Sequence, residues 1–202
     1  MAKIKYTKQE LRNQQIHLEQ LERYLPTLRL RKNLLQSETI RAQNQLKNLR
    51  DDTHAAYDLL AQSAPLLDQF PYAENAIQIG ELVQSHENIA GVTLPVFESV
   101  AFEPYEYDLY DTPAWLDALV GELRAFKSLE SQAITAERRI EILERELRDV
   151  FIKVNLFEKV LIPQCIKNIR SIKIFLGDLD LSAVAQAKKA KDKILKRKVE
   201  VA

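Results

Sequence analysis

The chain has 202 residues, 46% of them hydrophobic, and its 29 Lys and Arg side chains balance its 29 Asp and Glu side chains. A zero net charge does not fit a strongly basic nucleic-acid-binding protein. The only glycines are Gly80, Gly91, Gly121 and Gly177, so neither G-x-G-x-x-G nor a Walker A phosphate loop can be built.

The charges are unevenly distributed along the chain. Residues 1–50 contain 11 basic and 4 acidic side chains, residues 51–122 contain 14 acidic and no basic ones, and residues 123–202 contain 18 basic and 11 acidic ones. Five of the seven prolines also fall in the middle. We therefore expect three parts: an N-terminal helix over 1–64, an acidic insert over 65–112, and a C-terminal helix with a basic tail over 113–202.

The first predicted helix begins at a capping box, in which Thr7 caps the backbone N–H of Glu10 and the Glu10 side chain reaches back. Apolar residues with 3–4 spacing then predict one buried stripe of a coiled coil. Polar residues Gln14, Lys32, Thr39 and Thr53 interrupt the stripe, and Pro26 predicts a kink or local unwinding. The stripe comprises Leu11, Leu18, Leu21, Leu25, Leu28, Leu35, Ala42, Leu46, Leu49, Ala56 and Leu60.

The insert contains two strand candidates. Residues 77–83 alternate in part, and residues 88–97 form a second candidate entered through a turn that contains Gly91. Pro95 is typical of an edge strand, because proline cannot donate a backbone hydrogen bond. The pattern predicts a short β-hairpin between the two helices, with Ser85-His86-Glu87 interpreted as a polar turn.

The second predicted helix begins at Thr112-Pro113, an N-cap followed by a favoured first helical residue. Pro163 predicts a kink. A second apolar stripe pairs with the first when the helices run antiparallel, which gives a rod-like two-helix coiled coil closed by the hairpin. This stripe comprises Leu119, Leu123, Phe126, Ala133, Ile140, Leu143, Leu147, Val150, Val154, Phe157, Leu161, Ile169, Ile172, Leu176 and Leu179.

The residues that could carry catalysis or bind a metal are scattered. His54 follows Asp51 and Asp52 on one helical turn, which is more typical of a solvated face than of a metal site. Cys165 is the only cysteine, so no intrachain disulfide forms, and its place on the helix favours packing over nucleophilic chemistry. We expect no catalytic residues, no metal and no cofactor. We also expect no secretion signal and no membrane-spanning segment, because no long apolar run occurs.

The basic tail is the remaining feature. Lysines at 188, 189, 191 and 193 are opposed by few acids, which favours contact with an acidic protein surface over a purely solvated terminus. Binding to nucleic acid is the less favoured alternative, because the tail carries no aromatic residues that could stack on bases.

Three stretches resemble the D subunits of the V/A-type rotary ATPases, which form the central rotor shaft. Residues 28–35 resemble the family's leucine-and-basic segment. Val154-Asn155-Leu156-Phe157-Glu158, followed by Ile162-Pro163, is similar to the family's V-N-A-L-E and I-P. Residues 187–191 resemble its lysine-rich close. Residues 88–97, including Gly91, Val92, Leu94 and Pro95, resemble its central hairpin.

The resemblance implies a non-catalytic stalk subunit that transmits torque between ATP synthesis or hydrolysis and proton or sodium transport. It implies partners in the catalytic and regulatory subunits of the ATPase hexamer, in the small F subunit of the stalk and in a membrane-side socket subunit. Hexamer-binding residues by this resemblance are Arg29, Arg31, Lys32, Lys188, Lys189 and Lys191. Residues Val154, Asn155, Glu158, Ile162 and Pro163 would serve helix packing. The expected location is cytoplasmic, peripheral to the inner (plasma) membrane and without direct insertion.

Two other classes fit the same pattern of helices. A prefoldin-like chaperone also combines helical arms with β-hairpins, although it exposes apolar tips where this chain has basic termini. A tethering or cytoskeletal coiled-coil scaffold would normally lack the V-N-x-x-E and I-P stretch. An enzyme is the least favoured class.

Overall fold

A computed structural model describes residues 5–67, 77–104, 113 and 115–200. It contains helix α1 (Lys8–Leu67), strands β1 (Ile79–Ile89) and β2 (Val92–Phe102), and helices α2 (Leu116–Leu156) and α3 (Ile162–Glu200). A π-helical segment, Phe157–Leu161, joins α2 directly to α3. The predicted fold class, two long helical stretches with a small antiparallel sheet between them, is confirmed.

The N-terminus of α1 is capped as the sequence predicts. The backbone N–H of Glu10 donates to Thr7 Oγ1 at 3.2 Å, and the helix begins at Lys8. The reciprocal half of the capping box was predicted wrongly, because the Thr7 N–H donates instead to the carbonyl of Lys5 at 3.0 Å. The Glu10 carboxylate accepts from Gln14 Nε2 at 2.8 Å, one turn further along α1.

The chain forms two compact units. In the first, residues 1–30 are grouped with residues 151–202, and the two helical stretches run antiparallel. Partners move down the second stretch as they move up the first. Three contacts establish this register: the Tyr6 and Phe175 rings at 5.0 Å, Asn168 Nδ2 to Gln14 Oε1 at 3.3 Å, and Arg29 Nε to Glu158 Oε1 at 2.6 Å.

The second unit spans residues 31–150 and holds the hairpin and the remaining parts of α1 and α2. Its two helices are also antiparallel, as three contacts in descending order along α2 show. These are Arg31 Nη2 to Glu146 Oε2 at 3.5 Å, Arg50 Nη2 to Glu137 Oε1 at 2.7 Å, and the Tyr57 and Phe126 rings at 6.2 Å.

The predicted apolar stripes are the buried seams of these units. Every residue of the α1 stripe is buried or half-buried, and so are the interrupting polar residues. Leu35, Leu143 and Ile172 are fully buried. The prediction is wrong at Leu179, which is 50% exposed, because α1 supplies no residue to cover that end of α3.

The two helical prolines behave differently. Helix α1 is unbroken at Pro26, so no local unwinding accompanies it; the proline is exposed, and water can reach the carbonyl that lost its partner. Near Pro163 the backbone widens into the π-helical segment, where the Ile162 N–H bonds to the carbonyl of Phe157, five residues back. A wider turn there relieves the clash between the proline ring and the carbonyl of Lys159.

The hairpin is longer than its sequence signal. Strands β1 and β2 pair antiparallel from Ile89↔Val92 outward, and the loop is Ala90-Gly91, with φ of 52° and 79°. Two residues with positive φ form the tight turn that matches the twist of paired strands. Residues 85–87 were predicted wrongly as a polar turn; they lie within β1, because the loop is set by the residues that tolerate positive φ.

Helix α2 begins at Leu116, three residues after Pro113, and the Leu116 N–H donates to the Pro113 carbonyl at 3.0 Å. The predicted N-cap, Thr112, lies outside the described residues.

Candidate partner-binding surfaces

The basic residues of α1 contact acidic residues of the facing helix. Arg29 bonds Glu158 at 2.6 Å, and Arg31 lies 3.5 Å from Glu146. Lys32 is half-buried at the seam. These side chains therefore contribute to holding the helices together, and Arg29, 58% exposed, still presents part of its surface to solvent. Their predicted role in binding the ATPase hexamer stays a prediction.

The lysines of α3 have a different setting. Lys188, Lys189 and Lys191 are exposed, and no ion pair joins them to another described residue. They belong to a stretch, residues 177–194, in which every side chain is exposed; we call it the tail. The tail also exposes large apolar residues that the sequence analysis did not single out, Leu181 at 71% and Val184 at 67%. A surface of this kind suits a partner that offers both carboxylates and apolar area.

The family-motif residues surround the π-helical segment. Val154 is 4% exposed, and Asn155 and Ile162 are half-buried. Glu158 lies inside the segment and is the residue that reaches Arg29, while Pro163 follows it and is exposed. The motif thus marks the place where the helix changes its pitch.

The hairpin residues singled out from the sequence pack on the helices. Val92 and Leu94 are 6% and 0% exposed, and Pro95 is buried. Gly91 takes the positive φ that the turn needs, and Asn88 Oδ1 accepts a hydrogen bond from its N–H at 3.1 Å.

Residues that anchor the hairpin were missed by the sequence analysis. Gln84 Nε2 donates to Thr135 Oγ1 at 3.1 Å, and Arg139 Nη2 donates to Glu87 Oε2 at 3.1 Å. Thr135 and Arg139 belong to a row with Ser131, spaced by four residues on a face of α2 that is distinct from the heptad stripe. That spacing is the signal that could have revealed them. At the far end of the hairpin, the Arg124 guanidinium lies 5.4 Å from the centre of the Phe102 ring.

The described residues hold no group of three or more potential metal ligands. Burial raises the pKa of the Cys165 thiol, which disfavours the reactive thiolate. Nor does any helix in the described part of the chain have the length and apolar character needed to cross a membrane.

These features define the class of the protein: antiparallel helical pairs with a docked hairpin and an exposed basic tail. The family model for the ATP synthase D subunit matches residues 10–192. Among the curated relatives, the V-type ATP synthase D subunit of Borreliella burgdorferi is 36% identical over 198 residues, 98% of each chain. The proteins of the same name from Chlamydia caviae and Chlamydia muridarum are 38% and 39% identical. They are matched over 97% and 98% of their own length and 98% of this chain.

The chain belongs to the ATP synthase D subunit family. The relatives named above are subunits of V-type ATP synthases, not chaperones or cytoskeletal scaffolds.

Proposed function

We propose that this chain is the central rotor stalk subunit of a V/A-type rotary ATPase. In this role it transmits torque between the nucleotide-binding hexamer and the subunits that move protons or sodium ions across the membrane. It is not itself catalytic, and it is peripheral to the membrane through its partners. The observation that carries the proposal is the family match over nearly the whole chain, together with antiparallel helices cross-linked by polar contacts.

Torque transmission requires that two helices do not slide past each other. A purely apolar seam resists sliding weakly, because leucine contacts can be exchanged for similar ones one heptad away. Polar contacts between defined residues make such a shift costly, because each leaves a donor or acceptor without its partner. The bond between Gln14 and Asn168 in the first unit and the ion pair between Arg50 and Glu137 in the second serve this purpose.

The tail supplies the proposed contact with the catalytic and regulatory subunits. Its lysines at 188, 189 and 191 are exposed and available for carboxylates of the hexamer. Arg29, Arg31 and Lys32 form a second proposed contact with the hexamer, through the surface that their ion pairs leave open. The small F subunit of the stalk and a membrane-side socket subunit complete the proposed set of partners.

The test is to replace the three tail lysines together by glutamine in the intact complex. We expect weaker assembly with the hexamer, or ATP hydrolysis that no longer drives ion transport, while the helical content of the isolated chain is unchanged. A matched control replaces three exposed lysines elsewhere in the C-terminal helical stretch, Lys159, Lys167 and Lys173. Wild-type assembly and coupling in the tail variant would refute the hexamer contact of the tail. A tagged chain that recovers no ATPase subunits from its own cells would refute the stalk function itself.

A further inference from the structure

A groove of about 340 Å³ lies beneath the hairpin in the second unit. Strand β2 covers one side of it, and α1 and α2 form the others. Its floor is apolar, with Pro95 buried and Leu49 and Phe97 half-buried. Its rim is polar and offers the carboxylate of Asp52 and the side-chain amides of Asn48 and Gln132.

The groove carries negative charge that no described residue neutralises. Asp52 is exposed, and no hydrogen bond or ion pair joins it to another residue in the described part of the chain. The cation that lines the groove, Arg139, is 18% exposed and already bonded to Glu87 at 3.1 Å. Arg50, on the same helix as Asp52, is paired with Glu137. In addition, residues 51–122 contain no Lys or Arg at all.

We infer that this groove holds an arginine side chain of a partner protein. An arginine has an apolar stem that packs on a floor such as Leu49, Pro95 and Phe97 while its charged head stays at a polar edge. Its planar guanidinium presents several N–H donors, which match the carboxylate of Asp52 and the amide oxygens of Asn48 and Gln132. An acidic side chain in the same place would meet the unpaired charge of Asp52.

The arginine is borne by a protein rather than free in solution. A free amino acid brings an α-carboxylate that also needs a cation, and Arg139 is already occupied by Glu87. The groove therefore recognises a side chain and leaves the attached backbone outside. This assignment depends only on the groove, so it stands or falls separately from the proposed stalk function.

Titration of the full chain with N-acetylarginine amide, followed by NMR, tests the inference. At about 10 mM ligand, within reach of millimolar affinity, we expect saturable shifts of the side-chain amide signals of Asn48 and Gln132. N-acetylcitrulline amide has nearly the same shape without the charge, and we expect it to leave these signals unchanged. Free arginine should bind no more tightly than the blocked amide.

Asp52→Asn should weaken binding at least about tenfold, because the charged acceptor of the guanidinium is lost. The matched control is Asp58→Asn, an exposed aspartate of α1 outside the groove. Circular dichroism verifies that both variants fold. Absence of saturable shifts, equal effects of the citrulline compound, or undiminished binding by Asp52→Asn would each overturn the inference. Tighter binding of free arginine would overturn its assignment to a protein partner.

Discussion

Arg29 Nε donates to Glu158 Oε1 at 2.6 Å, and this bond joins α1 to the π-helical segment. The π-helical geometry begins one residue before Glu158, at Phe157. A π-helical turn displaces the following side chains around the helix axis, so the position of Glu158 relative to α1 depends on this local widening. The ion pair and the irregular turn are therefore one structural feature of the first unit.

Removing this ion pair should destabilise the chain only modestly. Arg29 is 58% exposed and Glu158 is 28% exposed, and solvent screens such pairs. In a double-mutant cycle with Arg29→Gln and Glu158→Gln, we expect a coupling free energy of up to about 1 kcal/mol that decreases as salt increases. The measurement is chemical unfolding at low and high ionic strength.

The control cycle uses Arg145 and Glu141, an ion pair within α2 in which both side chains are about two-thirds exposed. We expect a smaller coupling there, about 0.3–0.5 kcal/mol. A larger coupling for the control pair would show that geometry at the π-helical segment adds nothing.

The hairpin loop predicts opposite effects at neighbouring positions. Ala90 and Gly91 have φ of 52° and 79°, a region that alanine adopts only with strain. Gly91→Ala should lower the free energy of unfolding by about 1–2 kcal/mol, whereas Ala90→Asn should raise it by about 0.5 kcal/mol because asparagine tolerates this region better. Thermal unfolding of both variants measures the two signs. Stabilisation by Gly91→Ala would contradict the observed turn.

The burial of the seam predicts a strong contrast between two leucines. Leu143 is 0% exposed and Leu181 is 71% exposed. We expect Leu143→Ala to cost about 2–5 kcal/mol of stability through the cavity it leaves, and Leu181→Ala to cost less than about 0.5 kcal/mol. Chemical unfolding of the isolated chain provides the comparison. In the assembled complex, a large effect of Leu181→Ala on assembly alone would indicate that the tail is covered by a partner.

Cys165 predicts a loss of stability at alkaline pH. Burial raises the pKa of its thiol above the ordinary value of 9.0. Once the pH exceeds 9.0, the unfolded chain loses this proton while the folded chain retains it, so the unfolded state is favoured progressively. The stability of the wild-type chain relative to Cys165→Ala should therefore fall from about pH 8 to pH 10. A constant difference over this range would contradict the effect of burial.

The sequence was most informative where local chemistry and burial coincide. The start of α1 followed from Thr7, and the seams followed from the 3–4 spacing of apolar residues. The hairpin was found in outline, although its strands continue beyond the predicted ends because pairing, rather than the propensity of Ser85 or His86, extends β1 to Ile89.

The remaining features depend on contacts between distant parts of the chain. The row of Ser131, Thr135 and Arg139 becomes meaningful only when the hairpin is placed against it. Leu179 fits the heptad pattern, yet it is exposed because a pattern on one helix does not reveal where its partner ends. A proline likewise predicts an irregularity, but Pro26 and Pro163 show that its form is decided by the surrounding turns.

The fully exposed tail has a consequence for how the protein responds to temperature. A helix without packing partners owes its order to propensity alone, and a stretch of this length is only marginally helical in water. Its alanines and lysines favour the helical state, but nothing couples its melting to that of the seams. On warming, the isolated chain should lose tail helix gradually, before the cooperative unfolding of the rest. Assembly would then carry an entropic cost of ordering the tail, which makes its association strongly dependent on temperature.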